Sequence, residues 1–449
     1  MDEELFGYSG LLKKILEEIG ANIGDRIRVR RGSEVFEGLL MPRERLYGDK
    51  PIIVIKLDNG YNIGIRVDEK TVIEKVRPRS VVKEVKPRPI PLEKKLPRVI
   101  MVSTGGTIVS KVDYETGAVK PALTTEELLE WIPEIMDIAI IETIEFSRIF
   151  SEDMEPKIWA SLAERVYKYM IEGYNGIVVA HGTDTMGYTA AALAFAIRNK
   201  PVPIVLVGAQ RSSDRPSTDS AFNLKAAFLT AAKAPFAESV VVMHGETGDH
   251  YALAHRGTKV RKMHTSRRDA FQTINDKPLA IIFPDEGKIE VINKIIEHRD
   301  HKKEPELINK FDDKVALVKT YPGIKPDIIE FLIDRKYHGI VIEGTGLGHA
   351  PQKLIPVIQR AVEEGIAVVM TSQCLFGRIN MHVYSTGRKL LAVGVIPGSD
   401  MLPETAYVKL SWVLGITRDL KEVRKLMLTN IAGEINPRHT VDLYPRWPL

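Results

Sequence analysis

Four side chains in this sequence are candidates for hydroxyl-based acyl chemistry: Thr104, Thr183, Asp184 and Lys262. A short apolar run, Val99–Val102, ends in Ser103-Thr104-Gly105-Gly106-Thr107, and a second, Gly176–Ala180, ends in His181-Gly182-Thr183-Asp184-Thr185. Each reads as a buried strand whose carboxyl end delivers a threonine into a glycine turn. Ligands of open α/β sheets bind outside the carboxyl ends of strands. Glycine clears side chains away so that backbone N–H groups can face a substrate, as an oxyanion hole requires. A threonine hydroxyl attacks only when something takes its proton. Asp184 adjoins Thr183, and Lys262, in Lys262-Met263-His264-Thr265-Ser266, is a possible acceptor. A free lysine has a pKa of about 10.4, and a nearby carboxylate favours its ammonium form. Proton acceptor and fixed positive charge therefore both stand for Lys262. Taken singly these features are ordinary, because lysines are mostly solvated and an acid after a strand is often a helix cap. Two Gly-flanked threonines at two strand ends are the sharper signal.

The elements that must hold these residues follow from periodicity. Between Pro97 and Pro284, apolar runs alternate with helical patterns, as in Ile138–Glu142, Val202–Val207, Val240–His244 and Leu279–Phe283 against Thr125–Ile132, Pro156–Glu172, Gly187–Arg198 and Asp219–Ala234. Such alternation predicts a mostly parallel sheet covered on both faces. Glu290–Asp313 is rich in charge and reads as a solvated connection. A smaller α/β unit follows, with strands near Val315–Thr320, Gly339–Glu343 and Ile366–Thr371 and helices near Lys325–Arg335, Lys353–Glu364, Glu404–Leu414 and Leu420–Asn430. At the other end, Leu5–Ile19 predicts an amphipathic helix with Leu11, Leu12, Ile15 and Ile19 on one face. From Gly24 the period becomes two, and Asp58-Asn59-Gly60-Tyr61 between two such runs signals a hairpin. The pattern predicts a small antiparallel β-barrel, which serves as a docking module or, through a rim including Arg28, Arg30 and Arg31, as a nucleic-acid contact. Proline-rich 78–97 predicts an extended linker. The expected domains are 1–77, 98–290 and 314–449, with linkers 78–97 and 291–313.

Composition excludes several classes. A chain of 449 residues, 44% hydrophobic and 27% charged, has the balance of a soluble globular protein. One cysteine, Cys374, rules out an intrachain disulfide scaffold and fits a reducing cytoplasm; it lacks a Gly-x-Cys-x-Gly setting and is expected to be a buried structural thiol. The N-terminus lacks a signal-peptide pattern, and no apolar run is long enough for a membrane span. A net charge of +4 is too small to argue for nucleic acid. His244, His250, His255 and His264 show no metal-ligand spacing, so no metal is expected. Gly344-Thr345-Gly346-Leu347-Gly348 follows a strand but lacks the spacing of a nucleotide loop.

Thr104-Gly105-Gly106-Thr107-Ile108 and His181-Gly182-Thr183-Asp184-Thr185 resemble the two signature motifs of the L-asparaginase/glutaminase amidohydrolases. Ser151-Glu152-Asp153-Met154, Arg211–Pro216 and Lys262–Phe271 are similar to further segments of that family, and the resemblance runs from Pro97 to about Gly433. It implies that Thr104 attacks the side-chain amide carbon, giving an acyl-enzyme and ammonia. Tyr114 would hydrogen-bond Thr104, and Thr183, Lys262 and Asp184 would form the supporting relay. Ser151 and Asp184 would grip the α-carboxylate and α-ammonium with help from Glu152, and Gly105, Thr107 and Gly182 would also line the substrate. The loop at Gly344–Gly348 would lie at a homodimer interface. Plain asparaginases resemble only the part after Pro97. The segments Gly24–Arg26, Glu37–Arg43, Leu57–Asn62, Thr371–Arg378 and Val383–Arg388 resemble the glutaminase subunits of archaeal tRNA-dependent amidotransferases over essentially the whole chain. That resemblance implies glutamine as substrate and ammonia passed to a partner, an E-type subunit, in a cytoplasmic heterotetramer with two copies of each polypeptide. The partner would bind tRNA(Gln) and use ATP and Mg to amidate Glu-tRNA(Gln), leaving this chain without a cofactor. The alternative reading is a free-standing cytoplasmic L-asparaginase with an added barrel.

Overall fold

The structure is a computed structural model that describes residues 8–42, 51–57, 62–68, 70–77, 96–105, 108, 110–112, 119–121, 128, 132–211 and 218–444. Alternation in the first strand, β1 (Arg26–Arg31), sends Ile27 and Val29 into a core and leaves its arginines outside. With β2 (Glu34–Leu40), β3 (Ile52–Lys56), β4 (Asn62–Arg66) and β5 (Thr71–Arg77) it forms an antiparallel sheet in the order β4-β3-β2-β1-β5. Helix α1 (Gly10–Glu18) covers the apolar face through Leu12 and Leu16, while Leu11, expected inside, is turned outward. Strands β3 and β4 pair as the hairpin pattern predicts, Lys56 opposite Asn62; the Asn59-Gly60 turn lies outside the described residues. The arginine rim is not a free basic surface. Register places Arg28 between Glu37 and Glu74, and Arg28 pairs with Glu37 at 2.9 Å, Arg30 with Glu74 at 3.7 Å and Arg31 with Asp68 at 3.8 Å. The Arg26 and Arg28 guanidiniums hold the Glu37 carboxyl below its ordinary range.

The central sheet holds β6 (Arg98–Ser103), β7 (Ile140–Glu145), β8 (Gly176–Ala180), β9 (Ile204–Val207), β10 (Ser239–His244) and β11 (Ala252–Arg256). A side hairpin of β12 (Val260–Lys262) and β13 (Phe271–Thr273) follows, then β14 (Ala280–Phe283) and β15 (Lys288–Val291). The sheet order is β15-β14-β11-β10-β9-β8-β6-β7. Strands β7, β6, β8, β9 and β10 are parallel, whereas β11, β14 and β15 join through antiparallel pairings, β11 with β10, β14 with β11 and β15 with β14. The mostly parallel sheet expected from the sequence thus has an antiparallel edge. The loop after β10 is too short for a crossover helix, so β11 folds back beside it.

Two-residue periodicity splits the strands' apolar side chains between two cores. Val99, Met101, Val178, Ala180, Val205 and Val207 meet helix α4 (Ser220–Lys233) on one face. Ile100, Val102, Ile177, Val179, Ile204 and Leu206 meet α2 (Pro156–Ile171) and α3 (Met186–Ala196) on the other. The predicted helix at Thr125–Ile132 and the linker 78–97 fall almost wholly outside the described residues. The charged stretch after β15 is less solvated than expected, for Arg299 turns inward onto the Ala232 carbonyl at 3.0 Å.

The smaller unit is a parallel sheet, β16 (Val315–Lys319), β17 (Gly339–Gly344), β18 (Ala367–Ser372) and β19 (Ile396–Pro397), in sequential order. Helices α5 (Asp327–Asp334), α6 (Ile355–Glu363) and α7 (Ser385–Ala392) contribute to the core on one face. On the other, α8 (Pro403–Ile416) packs between this sheet and α3 of the larger unit, with Trp412 stacked on Phe195 at 5.9 Å. Helix α9 (Leu420–Leu428) follows, capped by Asp419. The two units share one apolar seam.

Candidate active site

Strands β6 and β8 are parallel neighbours, with Ser103 beside Ala180, so both glycine turns emerge at the same sheet edge. Thr104 is 1% exposed; its backbone N–H and its hydroxyl both donate to the Ala180 carbonyl at 3.0 Å. The next residue must be glycine. Gly105 has φ of +110°, and a Cβ there would sit 2.6 Å from the Ile149 carbonyl oxygen. This close approach brings the segment leading to Ser151 against the first motif. The same segment meets the second motif, because a Cβ on Gly182 would fall 2.8 Å from Ser151 Cβ and 2.9 Å from its Oγ. Ser151 is buried, and Thr185 donates its hydroxyl to the Ser151 carbonyl at 2.5 Å. Glu152, next in the same 3-10 turn, is exposed at the rim.

Thr183 is nearly buried and meets Lys262 from the end of β12: Nζ lies 2.9 Å from Thr183 Oγ1 and 2.8 Å from Asp184 Oδ1. The Lys262 side chain is 13% exposed and that of Asp184 68%. The ammonium is therefore screened on the threonine side, while the carboxylate stays open to a solute. The arrangement joins residues 79 positions apart and comprises a buried hydroxyl, a cation and an exposed acid beside a second buried hydroxyl. That set suits attack on a carbonyl and the binding of a substrate ammonium group.

The structure thus brings together Thr104, Gly105, Ser151, Gly182, Thr183, Asp184 and Lys262, with Glu152 at the edge. Tyr114 and Thr107 lie outside the described residues. Sequence reasoning assigned no part to His181, whose ring is fully buried behind the second motif. Its Nδ1–H donates to the Gly182 carbonyl at 2.7 Å. Its Nε2 accepts from Thr189 Oγ1 at 2.9 Å, which in turn accepts from Trp159 Nε1 at 3.1 Å. Burial pushes the His181 pKa down to about 4, so a neutral ring fixes the peptide that precedes Thr183. A histidine set directly between an apolar strand and a glycine was the available sign.

Cys374, expected to be buried, is exposed. Strand β18 ends at Ser372, and the chain turns outward there, the Cys374 N–H bonding Ser372 Oγ at 3.0 Å. Among the described residues no group of three or more His, Cys, Asp or Glu side chains is placed to hold a metal ion. No described helix is long and apolar enough to cross a membrane.

Comparison with known families matches residues 98–297 to "Asparaginase, N-terminal", 314–427 to "Glutaminase/Asparaginase C-terminal domain" and 21–76 to "GatD N-terminal domain". The chain is 57% identical to the D-type subunit of glutamyl-tRNA(Gln) amidotransferase from Pyrococcus abyssi, covering 96% of this chain and 99% of that one. It is 52% identical to the polypeptide of the same name from Metallosphaera sedula, covering 99% of each. Among solved structures, the thermostable L-asparaginase from Thermococcus kodakarensis superposes with a TM-score of 0.69 at 34% identity, covering 76% of this chain and all of that one. A probable cytoplasmic L-asparaginase from Campylobacter jejuni gives 0.63 at 28% identity, over 74% of this chain and all of that one.

Proposed function

The chain belongs to the GatD family of glutamyl-tRNA(Gln) amidotransferase subunits, and we propose that it hydrolyses glutamine and supplies the ammonia to a partner polypeptide. Thr104 attacks the side-chain amide carbon of glutamine, its proton passes to the departing amine, and water then releases glutamate from the acyl-enzyme. Thr183, Lys262 and Asp184 form the supporting relay, and Tyr114 would hydrogen-bond Thr104. Ser151 and Asp184 hold the α-carboxylate and α-ammonium, Glu152 assists at the rim, and Gly105, Thr107 and Gly182 line the bound substrate. Lys262 serves as proton acceptor or as fixed charge, its Nζ lying within hydrogen-bond reach of both Thr183 and Asp184. The observation that carries the reading is the contact of Lys262, from a hairpin outside the central sheet, with Thr183 and Asp184 of the second motif.

In the same reading the N-terminal sheet closes into a small barrel that seats the partner or guides ammonia. Its arginines, engaged by Glu37, Glu74 and Asp68, favour that over contact with RNA. The domains divide at 1–77, 98–290 and 314–449. The partner, an E-type subunit, binds tRNA(Gln) and carries the ATP and Mg chemistry in a cytoplasmic heterotetramer built on a homodimer of this chain, which itself uses no cofactor.

Ammonia release from glutamine and from asparagine tests this, measured on the chain alone and then with partner, ATP and Glu-tRNA(Gln). The reading expects slow release alone and strong stimulation with glutamine by the full set. Fast asparagine hydrolysis by the lone chain, indifferent to partner and tRNA, would make it a free-standing asparaginase. One methylene separates the two substrates, so the preference itself is expected to be modest, on the order of 10–200-fold.

A further inference from the structure

A line of hydrogen bonds, buried at one end and exposed at the other, leads from the Thr183 turn to the turn that follows Lys262. Gly208, just after β9, approaches so closely that a Cβ there would fall 2.8 Å from Thr183 Cγ2 and from the His181 carbonyl oxygen. Its carbonyl accepts from Asn223 Nδ2 at 3.1 Å, and Asn223 Nδ2 also donates to Asp219 Oδ2 at 3.1 Å. The Asp219 carboxylate accepts the backbone N–H groups of Gln210 at 2.9 Å and Arg211 at 3.0 Å. With its nitrogen committed to two acceptors, Asn223 turns Oδ1 toward His244 Nδ1, 2.7 Å away. His244 Nε2 lies 2.8 Å from Asp249 Oδ1, which accepts from Arg268 Nη1 at 3.0 Å. Arg268 sits in the turn joining β12 to β13, the turn that Lys262 opens into. Asp219, Asn223 and His244 are fully buried.

Both nitrogens of His244 therefore face acceptors. Nδ1–H satisfies Asn223, and the contact at Nε2 holds only while one proton lies between it and Asp249. We propose that His244 is a positioning residue for the amidase site: the proton it shares with Asp249 ties the turn behind Thr183 to the turn beyond Lys262 and keeps that pair in register. This rests on the assignment of Thr183 and Lys262 to the reaction. The charged groups bearing on His244 are Asp219 at the start of α4, Asp249 on the loop after β10 and Arg268 from the β12–β13 turn; the Phe222 ring packs on the imidazole at 4.4 Å. Burial pushes the imidazole down, the two aspartates push it up, and Arg268 adds to the downward push. Burial outweighs the aspartates and holds the imidazole below its ordinary range, so the tie is present at acid pH and lost as pH rises through that lowered range, and turnover falls before neutrality is reached.

The test is ammonia release from glutamine by the chain assembled with partner, ATP and Glu-tRNA(Gln), followed from acid to alkaline pH. Asp249→Asn changes an exposed residue, and its new Nδ2 can donate to a neutral His244 Nε2. It is expected to match wild-type turnover at acid pH, where the wild-type tie is present, and to lose the fall that wild type shows as pH rises toward neutrality. His244→Leu, read at acid pH where the tie is present, is expected to lower kcat between about 10- and 100-fold, the scale of a small misplacement of reacting groups, with KM changed less than about twofold. An Asp249→Asn profile identical to wild type overturns the inference, and that variant decides the matter even if His244→Leu does not fold. Lys262→Met separates the two claims. An active Lys262→Met chain removes the site assignment itself, whereas an inactive one beside an unchanged Asp249→Asn profile removes only the role of His244.

Discussion

Strand β8 at Gly182-Thr183 and strand β17 at Gly344-Thr345-Gly346 both end, like β6, in a threonine beside glycine. Their surroundings differ. At the end of β8 the hydroxyl is nearly buried, and Lys262 reaches it at 2.9 Å from another part of the chain. At the end of β17, Thr345 is exposed, and its N–H bonds the His349 carbonyl of its own loop at 2.8 Å. Gly346 and Gly348 there serve the turn itself, with φ of +50° and +91°. A strand that ends in glycine and threonine is thus a common way to stop a strand. It becomes a candidate site when a remote charged side chain arrives and the neighbouring backbone is clamped, as His181 clamps Gly182.

The contrast is most vulnerable at the β8 end. Thr104→Ala, Thr183→Ala and Lys262→Met are each expected to lower kcat for glutamine hydrolysis at least about 10³-fold with the fold intact, as for residues acting as a unit; steady-state ammonia release with a thermal melt checks this. Gly182→Ala should come next. Its Cβ would overlap Ser151, whose neighbourhood cannot yield cheaply, so a cost of about 1–3 kcal/mol in stability is expected, together with a raised KM. Denaturant titration and substrate saturation read the two effects. Asp184→Asn should raise KM about tenfold or more while lowering kcat less, if the exposed carboxylate receives the substrate ammonium. Thr345→Ala, at the β17 end, should change neither kcat nor KM by as much as about twofold. A large effect there would erase the distinction between the two turns.

Acid tests the packing behind the site. His181 and His255 are buried neutral, with pKa values pushed down to about 4 and about 3 from an ordinary 6.5. Below pH 6.5 the unfolded chain takes up protons that the folded chain refuses, so stability falls until the folded-state values are reached. The thermal midpoint should drop between neutrality and about pH 4, and His255→Gln should blunt the drop. A midpoint flat across that range would contradict the buried neutral assignment.

The parts of this fold legible in the sequence are those where one residue type decides the environment. Gly176–Ala180 is apolar throughout and is buried throughout, and the alternation of β1 announces its two faces. The antiparallel strand β11 was not legible, because Ala252–Arg256 contains His255 and Arg256 and looks like surface. Both are buried and take partners distant in the chain: Thr273 lies 2.8 Å from His255 Nδ1, and Glu238 and Asp276 each lie 2.7 Å from Arg256, while His255 Nε2 has no hydrogen-bond partner among the described residues. Lys259 is hidden in the same way, paired with Asp400 of the smaller unit at 2.6 Å with both side chains fully buried. Of the site, the two threonines were marked by local pattern, whereas Lys262 stood out only through resemblance. Its chemistry depends on Thr183 and Asp184, and no local pattern records that meeting.

The central claim is best tested by locating the acyl group. Rapid quenching of the assembled enzyme during glutamine turnover, followed by proteolysis and mass spectrometry, would show which threonine carries the γ-glutamyl ester. The account predicts the ester on Thr104, with Thr183 unmodified beside Lys262. An ester on Thr183, or steady turnover in a Thr104→Ala chain, would contradict it.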